Sequence, residues 1–185
     1  IELLYAFPYE SSRKRMSVIV RLPEELLPVV GGTERVRLYT KGADSVLCDL
    51  TTGVLDPKAA GSDASHMAAL DSLLYEWADI ALRTLVFAKR ELGDFERWSA
   101  EYEAAISDPE NVRKAKLREP NRISELQGEV ENGLTLQGAT AIEDKLQEGV
   151  PEILKDLRIA GIKVWMLTGD KVGTAKNIAT ACNIL

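Results

Sequence analysis

The apolar positions of this chain change period along its length. From Met16 to Leu22 β-branched residues alternate with other side chains, and Val36 to Tyr39 repeats that period of two, which predicts two strands of a half-buried sheet. Ser45 to Cys48 reads as an extension of the same sheet, and Gly31-Gly32 as a hairpin-like turn between the first two strands. Leu50 to Ser65, rich in Gly, Thr, Asp and Ser, reads as an exposed loop. The period then lengthens. Met67, Leu70, Leu74, Trp77 and Ala81 recur at spacings of three and four, which places them on one face of a helix. That helix is expected to carry Arg83 at its end, before a strand from Thr84 to Ala88.

Helical spacing continues beyond it. Asp94 is suited to cap a helix whose Phe95, Trp98, Tyr102 and Ile106 form an apolar stripe, and Asp108-Pro109 starts another by the rule of a cap followed by proline. Val112 to Glu131 is highly charged, with no apolar face before Ile123 and Leu126, and reads as one solvated helix leading to a boundary. Leu134 to Ile142 is then a strand, Pro151 to Ile159 a helix ending near Gly161, and Ile162 to Leu167 a second strand followed by another helix. Alternating strand and helix signals a parallel α/β unit. The expected organisation is therefore an α+β domain over residues 1–133 and an α/β portion over 134–185.

Composition narrows the function. The chain has 185 residues with 45% hydrophobic content, which suffices for a core, and a net charge of −6 argues against a nucleic-acid partner. No apolar run approaches the roughly 18 to 20 residues that cross a bilayer. Cys48 and Cys182 match no metal-ligand spacing and read as reduced thiols, as in the cytosol, and the lone His66 reads as solvated.

The chemistry concentrates where the second α/β strand ends. A helix N-terminus beyond the carboxyl end of a strand offers unpaired amides to an anion, so Thr168, Gly169 and Asp170 are a candidate phosphate site. The same three residue types also make ordinary turns. Ile162 to Ile184 resembles the second conserved segment of the haloacid-dehalogenase-like phosphorylation domain of P-type ATPases, in which the threonine ending a strand contacts the transferred phosphoryl group. Three more segments, Arg13-Lys14-Arg15-Met16-Ser17-Val18-Ile19-Val20-Arg21, Lys41-Gly42-Ala43-Asp44-Ser45-Val46-Leu47 and Gly138-Ala139-Thr140-Ala141-Ile142-Glu143-Asp144-Lys145-Leu146-Gln147, resemble the phospholipid-flippase class in that class's order. Leu82-Arg83-Thr84-Leu85 and Ala88-Lys89-Arg90-Glu91-Leu92 fit the same class between them.

The resemblance implies an α+β nucleotide-binding domain, an antiparallel sheet with helices, of which residues 1–133 are the C-terminal portion. Part of an α/β haloacid-dehalogenase-like phosphorylation domain would follow it. It implies ATP as ligand, with an aromatic ring on adenine and a lysine in the base pocket, by position Tyr9 and Lys41. Phe7 is a rival for the stacking role, and the family's usual residue at the position of Tyr9 is phenylalanine. Ser11 matches a position bordering the nucleotide, and Gly42 and Ala43 imply close backbone approach to the base. Arg83 is suited to phosphate because a guanidinium forks onto its oxygens. Asp144 would help shape the site where the terminal phosphate meets its acceptor, or simply cap the next turn.

The family's phosphorylated aspartate lies in an Asp-Lys-Thr-Gly-Thr segment and its magnesium ligands in a Gly-Asp-Gly-Ala-Asn-Asp segment; this sequence contains neither. It also has Gly173 where flippases commonly carry glutamate. The expectation is thus an ATP-binding cytosolic fragment of an ATP-driven flippase, an integral membrane protein, with Mg2+ ligands mostly elsewhere and no catalytic residue in the fragment itself. Its partners would be ATP, the rest of the transporter and, only through the whole protein, a phospholipid; no nucleic acid is expected. The alternatives are a portion of a cation-transporting P-type ATPase, a stand-alone dehalogenase-like phosphatase, and a non-catalytic interaction domain.

Overall fold

The structure, a computed structural model, describes residues 1–54, 63–80, 82–143, 146–168 and 172–185. In chain order the elements are β1 (Glu2–Glu10), β2 (Arg15–Arg21), a 3-10 turn (Glu24–Leu26), α1 (Leu27–Val30), β3 (Val36–Gly42), α2 (Asp44–Leu50), β4 (Thr51–Val54), α3 (Asp63–Asp79) and β5 (Arg83–Glu91). Then follow α4 (Phe95–Ser107), α5 (Pro109–Lys116), α6 (Arg122–Val130), β6 (Leu134–Ile142), α7 (Val150–Ile159) and α8 (Val172–Ala181). The six strands form one sheet in the order β1-β2-β3-β5-β6-β4. β1, β2, β3 and β5 pair antiparallel, and β4 pairs parallel with β6. The antiparallel sheet with helices is the α+β architecture expected from the sequence.

The chain forms two compact units, one of Ile1–Asp63 with Val86–Gly138, the other of Ala64–Leu85 with Ala139–Leu185. In the first, period-two burial gives one sheet face a dry core: Ile19, Leu38, Leu47, Val86, Leu126 and Leu134 are completely buried. At about 1.5–3 kcal/mol per fully buried apolar side chain, this is the dominant stabilising term of that unit. The indole of Trp98 on α4 donates to Leu126 O on α6 at 2.9 Å, so the large ring is buried without an orphaned N–H. Trp98 stacks on Tyr102 with centroids 4.8 Å apart, and Tyr5 meets both edge-on.

In the second unit α3 buries Leu70 and Leu74, α8 buries Ala179, and Cys182 is buried just beyond it. Asn177 Nδ2 donates to Asp79 O at 3.2 Å. α7 ends on Gly161 at φ +77, with Gly161 N–H bonded to Arg158 O and Ile162 N–H to Leu157 O, the paired bonds of a left-handed C-terminal cap. Among the described residues no helix is long and apolar enough to cross a membrane, and Cys48 and Cys182 are not joined in a disulfide.

Several expectations change. Ser45 to Cys48 is not strand but part of α2: Ala43 N–H turns back to Lys14 O, and Val46 and Leu47 N–H bond Ala43 O, starting a helix that buries Leu47. The first third also holds β1, whose Pro8 and irregular pairing hid it from a pattern reading. Leu50 to Ser65 is not all loop, since β4 and the start of α3 fall within it; residues 55–62 lie outside the described ones. Arg83 opens β5 rather than closing α3. On α4 the buried position is Ala105, not Ile106, because the stripe follows 98, 102 and 105. Val112 to Glu131 is two helices, not one solvated one. α5 stops where Arg118 takes φ +59, Asn121 Oδ1 caps α6 by accepting from Ser124 N–H, and Glu131 is fully buried. Pro120-Asn121 was the legible stop-and-start signal. Ile162 to Leu167 carries no strand pairing: a strand exists only beside a partner, and none is present among the described residues.

Candidate functional site

The residues expected at the base side gather at one end of the antiparallel sheet. β1 turns into β2 through Ser11 to Lys14, closed by Arg13 and Lys14 N–H on Glu10 O at 3.1 and 2.7 Å, with Lys14 in the left-handed region at φ +52. The register pairs Phe7 with Ser17 and Glu10 with Arg15, an offset that breaks the simple alternation between them. Its consequence separates the two aromatic candidates. Phe7 is in the core against Trp98 and Tyr102, while Tyr9 is 63% exposed. Of the two, Tyr9 is the exposed ring.

Lys41 is exposed and sits between Met16 and Phe87 in register, so these three side chains share one sheet face. Met16 and Phe87 are half-buried there, giving an apolar floor beside an ammonium group. Gly42 does make a close approach, but to its own fold. A Cβ at that position would lie 2.6 Å from Lys14 O and 2.7 Å from Arg15 Cβ. Ala43 N–H donates to Lys14 O at 3.0 Å, tying the end of β3 to the β1–β2 turn. Ser11 is exposed in that turn.

The basic cluster beside these residues is built differently from a solvated charge run. Arg13 Nη1 donates to both oxygens of Glu131 at 2.8 Å, Arg15 Nε donates to Oε2 at 2.8 Å, and Ser17 Oγ donates to Oε1 at 2.5 Å. Ser17 also shares a 2.9 Å hydrogen bond with Thr40. Arg13 Nη2 reaches Pro8 O at 3.0 Å and its Nε lies 3.6 Å from Glu10. Only Lys14 of the three basic residues is exposed. The sequence hinted at Glu131 in no way, because nothing local distinguishes it from the glutamates of α6.

Nearby, burial raises the Tyr102 hydroxyl above the ordinary tyrosine range. Tyr5 is raised by burial first and then by its 2.6 Å bond to Glu103. Both stay neutral phenols at physiological pH, serving as hydrogen-bonding core aromatics.

The remaining expected residues belong to the second unit. Arg83 is exposed at the start of β5, and Thr168 is exposed after the run Ile162 to Leu167. Gly169, Asp170 and Asp144 lie outside the described residues. A mainly apolar groove of about 860 Å³ runs along α7 and α8, lined by Leu154, Ile162, Val164 and Met166 among others, with Arg158, Lys163 and Lys176 also on its wall. No group of three or more His, Cys, Asp or Glu side chains fit to hold a metal occurs among the described residues.

Comparison with known proteins identifies the family of the chain. The family described as P-type ATPase, cytoplasmic domain N, matches residues 2–149. The chain is 42% identical over its whole length to the phospholipid-transporting ATPase VD of Macaca fascicularis, covering 26% of that protein, and equally to that of Homo sapiens, covering 12%. Over 96% of its length it is 41% identical to phospholipid-transporting ATPase 1 of Arabidopsis thaliana, covering 13% of it. It thus spans between 12% and 26% of the length of these relatives. With the match running through Tyr9, Lys41 and the whole antiparallel sheet, the chain belongs to the family of the P-type ATPase cytoplasmic domain N.

Proposed function

We propose that the chain is the ATP-binding cytosolic portion of an ATP-driven phospholipid-translocating P-type ATPase, an integral membrane flippase. In this reading residues 1–133 are the C-terminal portion of the nucleotide-binding domain and 134–185 part of the haloacid-dehalogenase-like phosphorylation domain. The supporting observation is the exposed ring of Tyr9 at the sheet end that carries Lys41, with its rival Phe7 committed to the core. Tyr9 stacks on adenine, Lys41 lies by the base, and Ser11, Gly42 and Ala43 border it. Arg83, Thr168, Gly169 and Asp170 are assigned to phosphate on the family resemblance. Mg2+ accompanies ATP, with ligands mostly outside this sequence. Phospholipid and the membrane helices are partners of the whole transporter.

The test is titration of ATP into the 185-residue chain. Tyr9→Ala lowers affinity by about 1–3 kcal/mol, the worth of a base on an aromatic platform, and Lys41→Ala weakens binding more than Lys14→Ala. Asp170→Asn changes affinity little. γ-Labelled ATP leaves no stable label, since the sequence lacks the acceptor segment. Wild-type affinity in Tyr9→Ala, or stable label on the protein, contradicts the proposal.

A further inference from the structure

We infer that Glu131 is a positioning residue for the nucleotide site, acting through Arg13 and Arg15, and that these two arginines clamp the β1–β2 turn rather than bind phosphate. The affinity part of this inference rests on the ATP reading above; the clamp itself does not.

Four observations carry it. Glu131 is fully buried at the end of α6, while its ligands come from residues 114 to 118 positions earlier: Arg13 twice, Arg15 and Ser17. Every one of those ligands lies on the turn or strand that separates Tyr9 from Lys41. The guanidinium groups have little surface left for an outside anion, with side-chain exposures of 14% and 13%. Finally, the turn passes its position on: Gly42 packs against Lys14 and Arg15, and Ala43 N–H holds Lys14 O.

A buried ion pair is a poor device for stability, since desolvation offsets most of its attraction, so its persistence here calls for another reason. Charge-assisted, two-pronged hydrogen bonds do fix direction well. A single carboxylate at the end of α6 sets where the backbone of residues 13 to 15 runs, and that backbone sets the spacing between Tyr9 and the Lys41 to Ala43 segment. With Arg13 and Arg15 neutralised inward, Lys14 and Lys41 are the cations of this rim that face water.

The test compares the wild-type chain with Glu131→Gln, and with the charge-free variant Arg13→Met, Arg15→Met, Glu131→Met in case the single change fails to fold. Amide hydrogen exchange is followed at Arg13, Lys14 and Ala43, with Ile19 and Leu38 as markers of an intact sheet. The expected result is faster exchange at the first three with the markers unchanged. ATP and adenosine then lose affinity by the same factor, about tenfold if the Tyr9 platform is displaced. Wild-type exchange at the three amides in a variant whose markers stay protected overturns the clamp, whether or not nucleotide binds. Loss of ATP affinity with adenosine affinity intact also overturns it, because the arginines would then be phosphate ligands. A wild-type chain that binds neither ATP nor adenosine sinks the functional reading above, while the exchange measurement still decides the clamp.

Discussion

Trp98 and Trp165 are the same side chain in opposite surroundings. Trp98, in the first unit, is 5% exposed, stacked on Tyr102 and hydrogen-bonded through its indole to Leu126 O, while Trp165, in the second, is 82% exposed. Ile159, Leu167 and Val172 repeat the contrast on the second side, each largely exposed. The first unit satisfies its sheet and its helices internally. The second contains a strand-like apolar run with no strand beside it among the described residues. Apolar patterning therefore states a demand for burial, and the fold meets it only where a complementary face is within reach.

The strongest way to break this comparison is to truncate both tryptophans. Trp98→Ala is expected to destabilise the first unit by about 3–5 kcal/mol, as for large aromatic deletions in cores, whereas Trp165→Ala changes stability by no more than about 0.5 kcal/mol. Urea unfolding followed by circular dichroism measures both, and equal effects would erase the distinction. Collisional quenching by iodide sharpens it in the same samples, with Trp165 quenched and Trp98 protected.

Glycines probe the two units in different ways. In the first unit Gly42→Ala forces a Cβ to within 2.6 Å of Lys14 O, and overpacking of that kind costs about 1–3 kcal/mol. In the second, Gly161→Ala meets open space, and its cost of about 1–2 kcal/mol comes instead from a left-handed backbone at φ +77. Amide exchange locates each effect, at the β2–β3 pairing for the first and at the last turn of α7 for the second. An effect of Gly161→Ala spread through α8 would show tighter internal packing of that unit than its exposed side chains imply.

The smallest expected effect lies on the surface of the first unit. Glu110 is held down to about 2, chiefly by its hydrogen bonds from Arg113 at 3.0 Å. A carboxylate lowered on folding stabilises the folded state above its ordinary value near 4.5, and that contribution disappears as pH falls through about 2. The pair is fully exposed and screened by salt, so Glu110→Gln is expected to shift the acid midpoint only slightly and the shift to shrink in high salt. A large, salt-insensitive shift would mean that α5 is packed more closely than its exposure indicates.

Much of the molecule follows from the sequence by itself. Alternation specified β2 and β3, and spacings of three and four specified α3 and α4, because these periods are set by backbone geometry and need no partner to be recognised. The ordered segments around Arg13, Lys41 and Gly138 specified the family. Tertiary structure decided the rest. Ser45 to Cys48 became helix because Ala43 bonds Lys14 instead of continuing a ladder. Phe7 went inward and Tyr9 outward because the β1–β2 register shifts between them, which residue types alone do not encode. Arg13 and Arg15 face a buried carboxylate more than a hundred residues away, a partner that no local pattern names. Periodicity is a property of neighbours in the chain; which face is covered, and which charge is paired, is settled by neighbours in space.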